Sequence, residues 1–331
     1  MHARLHAYEV DEASHTVTLT YKGNLTEAGW KMYGQENPNY LCHGFREGDR
    51  IYIYTSSGHL VYDGVALTAS EYVGDGSGET GLKNGAMQTG TYPLYRLTAA
   101  LYEEVDGQPV RCFHEDALLT QGANGAMGTY ADYLAKDNRW EADYKVLVDN
   151  RSMASGGFLF ENTMVRNIRS RGLLIKASDG TISNCTFRNI GMSAIAVNYE
   201  IYWGESGIVE NLTIEKNLFY HTGYFGTDES LSVISVNGLN SSGEEDTLLY
   251  QNIRIADNRF INRSTDYCIY LRGIKNATIT GNYMGIHGEE DHRMRAGQGV
   301  TPVICLRGAV QIELNDNTYE LFEKAYCKPY L

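Results

Sequence analysis

From residue 146 to residue 319 the chain repeats a short strand pattern, and few folds accept such a pattern. In one register an apolar residue is followed three positions on by Asn and five positions on by a second apolar residue. The copies are Leu159/Asn162/Met164, Ile182/Cys185/Phe187, Ile214/Asn217/Phe219, Ile255/Asn258/Phe260, Ile279/Asn282/Met284 and Leu314/Asn317/Tyr319, with Cys185 alone replacing the Asn. A second register pairs two alternate aliphatics with a polar residue: Leu173/Ile175/Lys176, Ile195/Val197/Asn198, Ile234/Val236/Asn237, Ile269/Leu271/Arg272 and Ile304/Leu306/Arg307. Val146/Val148/Asp149 reads as a further copy ahead of them.

A period of two puts the aliphatics on one face of a strand and the polar residues on the other. Stacking successive turns, with Asn side chains laddering at a bend, buries the aliphatic face and predicts an all-β parallel β-helix. Propellers need several strands and a fixed period per blade, leucine-rich repeats need a denser Leu pattern, and helical solenoids fail on period. A β-sandwich alternates too, but does not return Asn in register turn after turn.

Residues 1–117 lack the coil pattern. Strand candidates at 16–21, 50–54 and 59–67, around turns at Gly48-Asp49 and Ser57-Gly58, predict a small antiparallel β domain there. Residues 118–144 mix Gly with helix formers and read as a connector, which leaves 145–331 for the β-helix. With 43% hydrophobic and 21% charged residues the 331-residue chain has ample core for this. The net charge of -13 argues against nucleic acid as partner, because phosphate binding needs a basic face. Six Cys without a CxxC pair read as mostly reduced and structural. The start, MHARLHAYEV, has no apolar run of signal-peptide length and nothing approaches a membrane span. The expectation is a soluble chain, secreted or periplasmic if a leader has been removed.

The spacing between registers separates plain turns from insertions. Lys176 to Cys185 is nine residues, whereas Asn198 to Asn217 is nineteen; Cys185 to Asn198 is thirteen, whereas Asn282 to Arg307 is twenty-five. The inserted segments, 199–207, 220–230, 239–249 and 287–299, are rich in acids, aromatics, Gly or His and leave from both ends of the second strand. They flank one outward row, Asp149, Lys176, Asn198, Asn237, Arg272 and Arg307, which forms the floor of a polar groove suited to a polyhydroxylated ligand. A β-helix face is ordinarily just solvated; four long insertions around a single row set this one apart.

Glu200 and Glu205 bracket Trp203 and follow Tyr199 directly after the floor residue Asn198. Two carboxylates converging on one bond are what glycoside hydrolysis requires, one protonated to assist the leaving group and one ionised to activate water or attack carbon. Trp203 would desolvate one of them and split the two roles. Asp228 and Asp149 are alternates. His287 and His292, with Glu289 and Asp291 between them, match no strong metal motif, and no G-x-S-x-G elbow or phosphate loop is present, so the reading calls for no metal and no cofactor.

The run from Ser170 to Gly180 (SRGLLIKASDG), followed by Ala196 to Gly207 (AVNYEIYWGESG), resembles bacterial right-handed β-helix proteins related to glycoside hydrolase family 110. The resemblance covers about residues 145–265. It implies a right-handed helix carrying a small β domain, an inverting exo-α-1,3-galactosidase activity without a metal requirement, and Glu205 as the acid of W-x-E-S-G; Glu200 stands in a slightly different register from the Asp expected there. Three functions fit the residues: an inverting exo-glycosidase acting on an oligosaccharide or polysaccharide; a polysaccharide lyase using Lys176, Arg272 and Arg307 to neutralise a uronate; and a glycan-binding β-helix that does not cleave.

Overall fold

The structure, a computed structural model, describes residues 2–22, 45–55, 59–83, 86–118, 120–121, 127–128, 146–153, 156–198, 208–224, 232–238, 248–262, 267–286 and 303–321. Among the described residues regular structure is almost entirely strand, in two compact units divided near Ala154.

The first unit is built on a seven-stranded antiparallel sheet. Its order is Leu60–Val65, Arg50–Thr55, Val146–Asn150, His2–Asp11, Thr16–Lys22, Ala86–Ala100 and Glu71–Lys83. Alternation explains the strands: Val17, Leu19 and Tyr21 are buried while their neighbours are half-exposed. They share a core with Ile51, Ile53, Tyr62, Leu97, Phe113, Val146 and Val148.

Val146–Asn150 therefore does not open the coil. It pairs antiparallel with Arg50–Thr55 on one side, Val148 opposite Ile53, and with His2–Asp11 on the other, Val148 opposite Ala3. Alternation marks a half-buried strand without saying which sheet it joins. The first coil strand is Phe158–Glu161.

The second unit coils through three parallel sheets. Phe158–Glu161, Gly180–Ser183, Glu210–Glu215, Tyr250–Ala256, Ile274–Thr280 and Val310–Asn315 form the first. The second consists of Met164–Ile168, Thr186–Ile190, Leu218–Thr222, Arg259–Asn262, Tyr283–Ile286 and Thr318–Leu321. The third has five strands: Leu173–Ile175, Ile195–Asn198, Ser232–Asn237, Tyr267–Arg272 and Ile304–Arg307. Inside, like side chains stack between turns; Phe187, Phe219 and Phe260 lie nearly parallel with ring centres 5.1 and 4.9 Å apart.

The expected register holds from Ile182 onward and fails in the first coil. Phe160 pairs with Ile182 and Val165 with Phe187, so the inward set there is Phe160/Thr163/Val165. Leu159 and Met164 point outward, 64% and 58% exposed.

Where the first sheet turns into the second, Asn217, Asn258, Asn282 and Asn317 form the ladder the pattern predicts. Each of the first three side-chain amides donates to the Oδ1 of the next, over 3.0, 3.0 and 2.9 Å, and all four donate to the main-chain carbonyl of the turn below. Each of these oxygens also accepts the main-chain N–H of the preceding rung. Both ends of every buried amide are thus satisfied, which desolvation requires. Cys185 caps the series: its N–H donates to Asn217 Oδ1 and its thiol turns to the carbonyls of Ser183 and Phe160. The residue ahead of each rung, Asn184, Lys216, Asp257, Gly281 or Asp316, has φ between 51° and 64°, a bend that Asn, Asp and Gly tolerate best. Two further ladders lie outside, Asp179–Asn211–Asn252–Asn276 and Asn167–Asn189–His221, again at positive φ.

Candidate functional site

Every long connection of the coil adjoins the third sheet. The first and second sheets are joined by two-residue corners such as Asn184-Cys185 and Asp257-Asn258, whereas the chain leaves the strands ending at Asn198 and Asn237 for nine residues or more. The segments predicted at 199–207 and 287–299 lie outside the described residues, as do 225–230 and 239–247 of the other two; Tyr220, His221 and Thr222, expected in an insertion, belong to the strand Leu218–Thr222. Glu200, Glu205, Asp228, Tyr199 and Trp203 therefore lie outside the described residues, together with His287 and His292.

The floor itself is described. Ile195, Val197, Ile234, Val236, Ile269, Leu271 and Ile304 face the core, so the alternate residues face outward in two parallel rows. One is the predicted row without its first member: Asn198 pairs with Asn237, Asn237 with Arg272, and Arg272 with Arg307, while Lys176 reaches across to donate to the Asn198 carbonyl at 2.9 Å. At one strand spacing per step these five residues span about 19 Å.

The other row, Leu174, Ala196, Ser235, Tyr270 and Cys305, escaped the sequence reading, which took one outward residue per strand. Its signal is the residue between the two aliphatics of each copy, small or polar at Ala196, Ser235 and Cys305.

Asp149 is not part of this floor. It sits in the antiparallel sheet, buried, and accepts a hydrogen bond from the Tyr54 hydroxyl at 2.7 Å. Burial pushes its carboxyl above the ordinary carboxylate range, against the opposing Tyr54 hydrogen bond. That position explains Asp149 as a structural residue of the first unit.

The rows differ along their length. At one end Asn198 and Asn237 are only 9% and 7% exposed, and their Oδ1 atoms, like the Ser235 hydroxyl in the adjoining row, are buried without a hydrogen-bond partner among the described residues. Unmet buried acceptors are costly, on the order of 1–3 kcal/mol each, so these three oxygens call for donors that the described residues do not supply. At the other end Arg272 is half-buried and Arg307 exposed, with its guanidinium 5.8 Å from the Tyr270 ring centre and Tyr267 a further 5.8 Å from Tyr270. Cys305 stands beside Arg307, yet burial raises its thiol above the usual range, which keeps it protonated and unsuited to act as a nucleophile. Among the described residues this face carries no carboxylate, and no group of His, Cys, Asp or Glu is placed to hold a metal ion.

Another concavity, of about 520 Å³, lies on the second sheet between Asn167, Arg169, Asn189, His221 and Tyr224. There His221 stacks on Tyr224 at 4.3 Å. Among the described residues no helix is long and apolar enough to cross a membrane.

Three parallel sheets stacked turn upon turn define a parallel β-helix. Residues 145–293 match the family described as right handed beta helix region. Two relatives are each named alpha-1,3-galactosidase A. The one from Akkermansia muciniphila is 33% identical over 101 residues, and the one from Bacteroides fragilis 33% identical over 108. These matches cover 30% and 32% of this chain and 15% and 17% of the relatives' own length.

Proposed function

We propose that this chain is a glycoside hydrolase, an inverting exo-glycosidase of the α-galactosidase type that binds its glycan on the outer face of the third sheet. The observation that carries the reading is the buried, unsatisfied set Asn198, Ser235 and Asn237, whose acceptors match the hydroxyls of a sugar. The partial likeness to relatives named alpha-1,3-galactosidase A supports the substrate class. Glu200 and Glu205 follow the floor residue Asn198 in sequence and supply the acid and the base; Asp228 is the alternate. In an inverting enzyme the two carboxyls stand roughly 6.5–9.5 Å apart, leaving room for the water that the base activates.

Proton NMR of the first product released from an α-galactosyl-terminated oligosaccharide tests this. The expected product is the inverted, β-configured sugar. Glu200→Gln and Glu205→Gln are each expected to lower kcat by about a hundredfold or more. Turnover that survives both substitutions, or a retained anomer, refutes the assignment.

A second reading has one observation in its favour: the described floor offers Lys176, Arg272 and Arg307 and no acid, as a polysaccharide lyase would use to neutralise a uronate. An unsaturated, ultraviolet-absorbing product from polyuronides selects that reading over hydrolysis.

A further inference from the structure

The two ends of the floor are built for different chemistry. The Asn198 end presents neutral acceptors, and its cation, Lys176, is turned onto the Asn198 carbonyl. The far end presents two guanidinium groups on paired residues of neighbouring strands, Arg272 and Arg307. Like charges placed directly across a ladder repel. The ion pairs between described residues, such as Arg50 with Asp63 and Glu103 or Arg254 with Glu215, lie elsewhere, and among the described residues neither Arg272 nor Arg307 has a carboxylate partner. Their neighbours on the same face are Tyr267, Tyr270 and the protonated Cys305, which bring no negative charge to the pair. A chain with net charge -13 repels anions in general, so two adjacent arginines with no carboxylate beside them among the described residues run against its overall composition.

We infer that the Arg272/Arg307 end of the floor binds an anionic substituent, a sulfate ester or a carboxylate, carried by the glycan whose neutral hydroxyls occupy the Asn198/Asn237 end. The inference rests on the glycan-binding reading above and adds the substrate's charge. The planar guanidinium fork grips an oxyanion with two hydrogen bonds at once, and an anion between the two side chains relieves their mutual repulsion. From Asn237 to Arg307 is two strand spacings, about 10 Å, so the charged group sits on a neighbouring residue of the glycan instead of the sugar held by the amides.

The test is a binding series on the intact chain by titration calorimetry. The probes are a neutral α-galactosyl oligosaccharide, the same oligosaccharide with one sulfate ester, and the same with one uronic acid. At least one acidic probe is expected to bind about tenfold more tightly than the neutral one, and which of the two it is separates sulfate from carboxylate. In an Arg272→Gln/Arg307→Gln variant the acidic-to-neutral ratio is expected to fall to about one. On the unaltered chain inorganic sulfate is expected to displace the acidic probe and leave the neutral one bound, a measurement that does not depend on how the variant folds. Equal affinity for all three probes overturns the inference while the glycan reading stands. A preference that persists in the double variant overturns it equally, and binding of none of the probes removes both.

Discussion

The buried amides of the Asn ladder each make contacts that an apolar replacement of the same size lacks. Asn258 is fully buried; its Oδ1 accepts from the main chain and side chain of Asn217, and its Nδ2 donates to the Ile214 carbonyl and to Asn282 Oδ1. Asn258→Ala leaves those partners unmet in a dry interior, and denaturant titration is expected to show a loss of about 2–4 kcal/mol. A loss below about 0.5 kcal/mol means the ladder is ornamental. Asp149 offers a pH test. Its carboxyl is held above the ordinary range by burial, so the folded chain holds that proton more tightly than the unfolded chain. The resulting stability is complete below the unfolded pKa and is lost as pH rises through the raised folded value. Asp149→Asn keeps an acceptor for the Tyr54 hydroxyl and removes the titration. Its Tm is expected to exceed that of the parent near neutral pH, with the gap narrowing on acidification; a gap that widens contradicts the account.

Strand register is where the sequence pattern was both strongest and most fragile. From Ile182 to Tyr319 the spacing located the inward residues and the ladder, because a period of two with Asn at a fixed offset is satisfied by a single alignment. In the first coil Leu159/Asn162/Met164 and Phe160/Thr163/Val165 both fit the apolar spacing, and a slip of one residue turns every side chain to the other face. The pairing of Phe160 with Ile182 decides it. Leu159→Ser is accordingly expected to change stability by less than about 0.5 kcal/mol, and Phe160→Ala to cost more than about 1 kcal/mol. The reverse order in a thermal-shift comparison restores the other register. The floor strands also end on a visible signal: Asn237-Gly238, Arg272-Gly273 and Arg307-Gly308. A Cβ at Gly238 would lie 2.4 Å from the Gly273 carbonyl oxygen, and Gly273 and Gly308 take φ of 62° and 53°.

Across the whole molecule, order comes from contacts between distant parts of the chain. Ladder partners on successive turns are 22, 32, 41, 24 and 35 residues apart, so each turn closes a loop before its pairing is gained. Refolding is expected to be slow, in the range of about a second or longer when followed by far-UV circular dichroism after denaturant dilution. A millisecond phase of full amplitude excludes the mechanism.

The sequence alone determined the coil, its buried Asn ladder and the row from Lys176 to Arg307, because all three follow from local period, which the chain carries in every turn. Tertiary structure alone decided that Val146–Asn150 joins the antiparallel sheet and removes Asp149 from the floor, since alternation specifies a buried face and not the partner that buries it. It alone exposed the Leu174–Cys305 row and the unsatisfied acceptors of Asn198, Ser235 and Asn237. Whether a buried oxygen has a donor depends on the strands stacked on either side of it, and those neighbours stand tens of residues away in the chain.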